Sequence, residues 1–375
     1  ANYRQGGKLF RNTLMTSTVN QKLQRAMEII EACIGPKGVW ASPARYKYQC
    51  WTRDFAIATE ETLFDLDKSQ VAKIHLNELA KHQYKDGRMP IMFLDKPIRW
   101  LALKAWHSIK NRRMSFLLRQ YFSKDGIGQL SPWTRDSEFL YVLGVTRYAH
   151  FMNDHAFLTE HSQRINIALA YVESSLMKNG LVFGGDWRDT RPDLNDKFLL
   201  TNNCLLYQAY TLSGEIKKAD VLKVLINDRF WTGSYYRDYI GVDDFDTLGN
   251  ALTILFDVAS QDRWAAIIQS AEVLDTPYGY KLDGVTLPPK SKEETEVMLR
   301  TNQFGVIWPF IHGFMILAAL KANRRDIAER QFQKWTALDG FFEFYDPTTG
   351  KGHGSVDQVW SAALYLRVAR ALGVL

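Results

Sequence analysis

Cysteine is scarce: Cys33, Cys50 and Cys204 are the only three in 375 residues. An odd, scattered set without CxxC spacing excludes a disulfide framework and a zinc ribbon, and implies reduced thiols. The eight histidines form neither HExxH nor a Cys/His cluster, so no metal and no cofactor are expected. Apolar runs of the ~20 residues that a membrane span needs are lacking. The longest, Phe304 to Leu320, is interrupted by Pro309, His312 and Gly313. Ala1 to Ser17 is polar and basic with no apolar core, so no signal peptide is expected and a cytoplasmic location is the default. An excess of one charge is also missing. The 47 basic and 41 acidic residues are interspersed, with a net charge of +6, which points to neither nucleic acid nor a membrane as partner. Only Arg99 to Arg119 reads as a basic run, with Lys104, Lys110, Arg112 and Arg113 beside Trp100 and Trp106. A solvated amphipathic helix face is the expected reading, ahead of a nucleic-acid or phosphate site.

What the chain does have is a helical period. Hydrophobic residues make up 46% of it, enough for a large core, and they recur at i, i+3, i+4 and i+7 in eleven segments. These are Val19–Ile34, Lys68–Gln83, Glu138–Met152, Asp154–Leu176, Leu200–Leu212, Ile216–Ile226, Thr247–Ala259, Gln261–Val273, Val306–Ala322, Asp326–Trp335 and Gln358–Ala371. Turn-forming groups such as Lys85-Asp86-Gly87, Lys178-Asn179-Gly180, Thr276-Pro277-Tyr278-Gly279 and Leu338-Asp339-Gly340 fall between them. Strand signals are scarce, and no linker divides the chain, so a single all-α domain over 1–375 built from helical hairpins is expected. A tetratricopeptide-like solenoid would repeat every ~34 residues, and no such repeat is present. The alternative is about twelve helices closed into a ring, with aromatic and acidic loops gathered at one mouth.

Those loops hold the chemistry. They are Trp51-Thr52-Arg53-Asp54, Trp133-Thr134-Arg135-Asp136, Gly185-Asp186-Trp187-Arg188-Asp189-Thr190-Arg191, Trp308-Pro309 and Phe341-Phe342-Glu343-Phe344-Tyr345-Asp346, followed by Gln358-Val359-Trp360. Each sets an aromatic face beside a carboxylate or guanidinium. A pyranose presents an apolar C–H face fringed by hydroxyls, and this pairing suits both surfaces. Cleaving a glycosidic bond takes two carboxyl groups in different environments. Glu343 stands among aromatic residues and Asp189 between two arginines, which on environment alone makes Glu343 the acid and Asp189 the base. Bland readings compete: Asp189 as an ion pair or helix cap, Trp308-Pro309 as a helix start, Arg stacked on Trp to lock loops. The Gly350-Lys351-Gly352-His353-Gly354 run lacks the spacing of a phosphate loop and reads as a flexible turn.

The ordered series of motifs resembles the six-hairpin, (α/α)6-barrel glycosidases, and within them the neutral/alkaline invertases and the amylo-α-1,6-glucosidase part of glycogen-debranching enzymes. Gln49-Cys50-Trp51-Thr52-Arg53-Asp54-Phe55 is similar to the family's Arg-Asp-Phe motif and Arg135-Asp136-Ser137 to its Val-Asp-Ser segment. Asp186-Trp187-Arg188-Asp189-Thr190-Arg191 is similar to Met-Ile-Asp-Arg-Arg or Thr-Trp-Met-Asp, with Leu205-Leu206-Tyr207 following. Phe245-Asp246-Thr247-Leu248-Gly249-Asn250, Ile307-Trp308-Pro309, Phe342-Glu343-Phe344-Tyr345-Asp346 and Gln358-Val359-Trp360-Ser361-Ala362 continue the order.

The resemblance implies an inverting glycoside hydrolase acting on an α-glucoside, with Asp189 as general acid and Glu343 as general base. That reverses the environment-only assignment. Such a pair stands ~6.5–9.5 Å apart, leaving room for one water. Trp51, Arg53, Asp54, Asp136, Trp187, Arg188, Trp308, Gln358 and Trp360 are the expected sugar-binding residues. The chain departs from the invertases at Phe342, at Asp186-Trp187-Arg188 and at Glu138-Phe139-Leu140-Tyr141, which argues against sucrose. A small carbohydrate is the expected partner, and a homo-oligomer stays open. Two other readings fit the same residues: a catalytically idle carbohydrate-binding or regulatory protein on this fold, and a helical scaffold for protein partners.

Overall fold

A computed structural model describes residues 3–111, 128–131, 134–189, 191–283 and 305–375. Its helices are α1 Tyr3–Cys33, α2 Glu60–Asp65, α3 Ser69–Lys81, α4 Pro97–Asn111, α5 Ser137–Met152, α6 His155–Tyr171, α7 Leu200–Leu212, α8 Ile216–Phe230, α9 Thr247–Leu255, α10 Gln261–Ala271, α11 Pro309–Lys321, α12 Arg325–Ala337 and α13 Val359–Leu372. A π-helical stretch, Asp54–Thr59, runs straight into α2. With α4 set aside, the described helices alternate between an outer and an inner ring. The inner ring closes on itself: α2 with its π-helical start touches α5, and contacts continue through α7, α9, α11 and α13 back to α2. Helices α1, α3, α6, α8, α10 and α12 pack outside. This is an (α/α)6 barrel.

Burial explains which helices lie inside. In α11 every residue from Pro309 to Ala319 is buried, and α5 is nearly as enclosed, so neither has a polar face to give to water. In α12 only Ile327, Ala328, Gln331, Phe332, Trp335 and Thr336 are buried, a stripe along one side. The inner helix Asp54–Asp65 is absent from the sequence-predicted set because its buried residues, Asp54 and Glu60 among them, include both charged and apolar types and leave no apolar stripe. Other ends move for local reasons. α11 begins at Pro309, which suits the first helical turn, rather than at Val306. α9 stops at Leu255 before Asp257, whose φ of 57° ends the helical path.

Five two-stranded antiparallel ladders decorate the described loops. Two matter for the site. Gln49–Trp51 pairs with Met92–Leu94, and Phe344–Tyr345 pairs with Gly352–His353. The glycine-rich run 350–354 thus closes a hairpin. Of the basic run 99–119, Trp100 is buried and Trp106 exposed on α4, whereas Arg112 and Arg113 lie outside the described residues.

Candidate active site

The loops entering the N-terminal ends of the inner helices bring the predicted residues together. Arg53 and Asp54 precede α2, Asp136 precedes α5, Asp189 lies before α7, Trp308 before α11, and Glu343 and Gln358 before α13. Helix N-termini carry positive partial charge, so this end of the ring favours carboxylates.

Glu343 is buried, but its carboxylate is not in the apolar setting that its aromatic neighbours in sequence suggest. Tyr46 Oη donates to Oε1 at 3.0 Å, the Ser355 backbone N–H donates to Oε2 at 2.8 Å, and Arg45 Nη1 stands 3.5 Å from Oε2. Burial raises its pKa; Arg45, Ser355 and Tyr46 pull it back, and the charge of Asp189 adds to the rise. The donors favour the ionised form, while burial makes that form more basic. Gly354 is required here: its φ is 77°, and a Cβ would come within 2.4 Å of Glu343 Oε2. Arg45, Tyr46, Ser355 and Gly354 were not legible as site residues. The signal that existed was the glycine run and the aromatic-basic segment Arg45-Tyr46-Lys47-Tyr48.

Asp189 is the accessible carboxylate, with its side chain 31% exposed. The arginines beside it in sequence do not hold it. Arg188 turns to Asp186 and Asp238, and Arg191 to Asp193 at 2.7 Å. Its cation comes from far along the chain: Arg53 Nη2 donates to Asp189 Oδ2 at 3.1 Å. The same guanidinium faces Asp136, with Nη1 3.7 Å from Oδ2. Burial would lower the Arg53 pKa, but Asp136, Asp189 and Asp54 outweigh it and raise it. Asp54 accepts from Gln358 Nε2 at 3.0 Å. Burial pushes Asp54 up to about 7, Arg53 opposes, and the charges of Glu343 and Asp189 add. Asp54 thus feels both carboxylates proposed for catalysis.

Beneath these groups lies an aromatic floor. Trp308 meets Trp187 edge-on at 5.1 Å between ring centroids and Trp360 at 5.4 Å, and it stacks on Phe344 at 5.9 Å. Trp51 is half-buried, edge-on to Tyr46, with Arg53 5.8 Å over its ring. Several buried polar atoms here have no hydrogen-bond partner: Arg53 Nε and Nη1, both Asp136 oxygens, Gln358 Oε1, and the indole nitrogens of Trp187 and Trp360. Buried groups of this kind are costly unless a ligand engages them.

One predicted contact is corrected. Arg188 is not available to a sugar: it is fully buried, and its Nε, Nη1 and Nη2 donate to Asp186 and Asp238 at 2.8–2.9 Å. It is a buried structural fork tying the Asp189 loop to Asp238. Trp133 and Thr190 lie outside the described residues. Among the described residues no group of three or more His, Cys, Asp or Glu is arranged to hold a metal, and no helix is long and apolar enough to cross a membrane. The three cysteines are buried and unpaired.

No protein-family model matches the chain. A mannosylglycerate hydrolase of Rubrobacter radiotolerans is 28% identical over 155 residues, which is 38% of this chain and 34% of that protein. The chain thus matches about a third of the length of that curated relative. Among solved structures, a glycosidase in complex with glucose aligns with TM-score 0.67 at 14% identity, covering 96% of this chain and 98% of the other. A mannosylglycerate hydrolase of Thermus thermophilus in complex with Tris and D-glycerate aligns with TM-score 0.64 at 14% identity, covering 92% and 99%. At that identity the likeness establishes the fold, and the fold is that of these glycosidases.

Proposed function

We propose that the chain is a glycoside hydrolase that cleaves a small α-glycoside with inversion, Asp189 giving its proton to the leaving oxygen and Glu343 taking one from water. The observation that carries this reading is the pair of unlike carboxylates at one mouth. Asp189 has its side chain 31% exposed and receives Arg53 through one guanidinium nitrogen, whereas Glu343 is buried, held at both oxygens, and close enough to feel the charge of Asp189. A leaving oxygen needs an accessible acid, and an attacking water needs a fixed, basic carboxylate. Water attacks C1 from the side of Glu343 as the C1–O bond breaks on the side of Asp189, so each proton moves to or from a named oxygen.

The remaining residues fit the sugar. Trp51 and the Trp308–Trp360 floor offer apolar faces. Asp54, Gln358 and the unpartnered indole N–H groups offer acceptors and donors to hydroxyls. The names of the relatives direct the choice of sugar toward glycosides of glycerate, mannosyl or glucosyl, ahead of sucrose or a branched glucan. The test is an NMR time course on a panel containing mannosylglycerate, glucosylglycerate, sucrose and an α-1,6-linked glucoside, with Asp189→Asn and Glu343→Gln run alongside. Turnover of one panel member that both variants abolish supports the reading. No turnover of any member, or near-normal turnover in either variant, contradicts it.

A further inference from the structure

Arg53 poses a problem for an acid at Asp189. A guanidinium that closed on this carboxylate with both prongs would hold it ionised, and an ionised group has no proton to give. The contact is not of that kind. Only Nη2 bonds Asp189, at 3.1 Å. Nη1 stands 3.7 Å from Asp136 Oδ2, and Nη1, Nε and both Asp136 oxygens have no hydrogen-bond partner. One cation therefore stands between two carboxylates, drawn to one edge of each and locked to neither.

Resting on the proposed hydrolytic reading, we infer that Asp136 is a positioning residue: it draws Arg53 away from Asp189 and so leaves Asp189 able to carry the proton it donates. Asp136 is wholly buried, whereas the Asp189 side chain is 31% exposed. With two carboxylates and one guanidinium, the trio is one negative charge in excess. A proton placed on Asp189 neutralises it, and Arg53 then leans to Asp136. Once that proton has passed to the glycosidic oxygen, the ionised Asp189 draws Arg53 back, and solvent returns the proton before the next cycle. Burial pushes Asp136 up to about 6, with Arg53 opposing and Asp186 and Asp189 adding, so it is mainly ionised at neutral pH. Among the described residues, the other charged groups acting on the trio are Asp54, Asp186 and Glu343.

The test reads the alkaline limb of kcat/KM against pH, where the acid loses its proton. In Asp136→Asn Arg53 loses one of the two carboxylates it stands between and its charge falls more fully on Asp189, so the limb should move to lower pH by about one unit, with roughly tenfold less activity above it. Asp136→Glu, which restores the charge, should return the limb towards its original pH. Arg53→Gln should move it the opposite way, to higher pH. The α-glucosyl and α-mannosyl fluorides, whose leaving group needs little protonation, should be spared by Asp136→Asn. An unmoved limb, limbs moving the same way in Asp136→Asn and Arg53→Gln, or equal losses on fluoride and glycoside would overturn the inference. Should Asp136→Asn not fold, Asp136→Glu with Arg53→Gln decides: an original limb in the first and a raised limb in the second support it, and any other pair overturns it. Failure of the hydrolytic reading itself shows separately, as normal glycoside turnover by Asp189→Asn.

Discussion

The two ends of the barrel use the same residue types in opposite ways. Farther along the inner helices, Arg147 donates to Ala56 O at 2.8 Å and to Glu60 at 3.2 Å, and it stands 3.3 Å from Glu61, which Arg367 holds from the other side. A cavity of about 210 Å³ there is lined by Arg147, Glu61 and Arg367 together with Leu205, Leu252 and Phe314, and its arginines are answered by protein carboxylates. At the mouth, Arg53 bonds one carboxylate through one nitrogen, and Asp136, Gln358 and two indoles keep unpartnered polar atoms. Arg188 shows that the mouth end is able to satisfy an arginine completely. The difference therefore follows the place where we propose that a sugar binds: charges at the far end are closed off by protein, and those at the mouth keep unpartnered atoms.

The strongest way to break this comparison is to remove the mouth carboxylates. Asp189→Asn and Glu343→Gln should each lower kcat by about 10²–10⁴-fold while sugar binding, measured by calorimetry, survives. Arg188→Met tests the contrast within the mouth. It strands Asp186 and Asp238 in the interior and should cost about 3–5 kcal/mol in denaturant unfolding. Tyr46→Phe removes one donor from Glu343 Oε1, a bond to a charged acceptor of about 1.5–3 kcal/mol, so kcat/KM should drop by roughly tenfold to a hundredfold. The lost donor favoured the ionised base, so the acidic limb of the rate profile should move to higher pH.

Asp54→Asn sharpens the comparison through stability. In the folded chain the Asp54 pKa is about 7, above the ~3.9 of an unfolded aspartate. A raised carboxyl contributes stability that is full below the unfolded value and is lost as pH rises through the folded one. Thermal unfolding should therefore show the variant gaining on the parent between about pH 4 and pH 7, with a constant gap above, while sugar affinity falls. The smallest effect is expected at the far end. Arg367→Gln removes a partly exposed ion pair and should change stability by about 1 kcal/mol or less and leave turnover as it was.

Much of this architecture was legible from periodicity, because outer helices such as Arg325–Ala337 bury one stripe and expose the rest. The inner helix Asp54–Asp65 was not, since burial on all sides removes the stripe that marks a helix. Glu343, Asp189, Asp54 and Gln358 were visible as carboxylates and amides in aromatic loops, and the structure brings them to one mouth. Their partners were hidden for a simple reason. Tyr46 and Glu343 are 297 residues apart, Arg53 and Asp189 are 136 apart, and no local pattern reports such contacts. The arginines near Asp189 in the sequence are not its ion-pair partners, because both turn to other aspartates.

The most direct measurement is proton NMR of the first sugar released from the α-glycoside that the chain cleaves. Release of the β-anomer ahead of mutarotation, lost in both Asp189→Asn and Glu343→Gln, is the predicted result. Initial release of the α-anomer would contradict a single displacement by water across this pair of carboxylates.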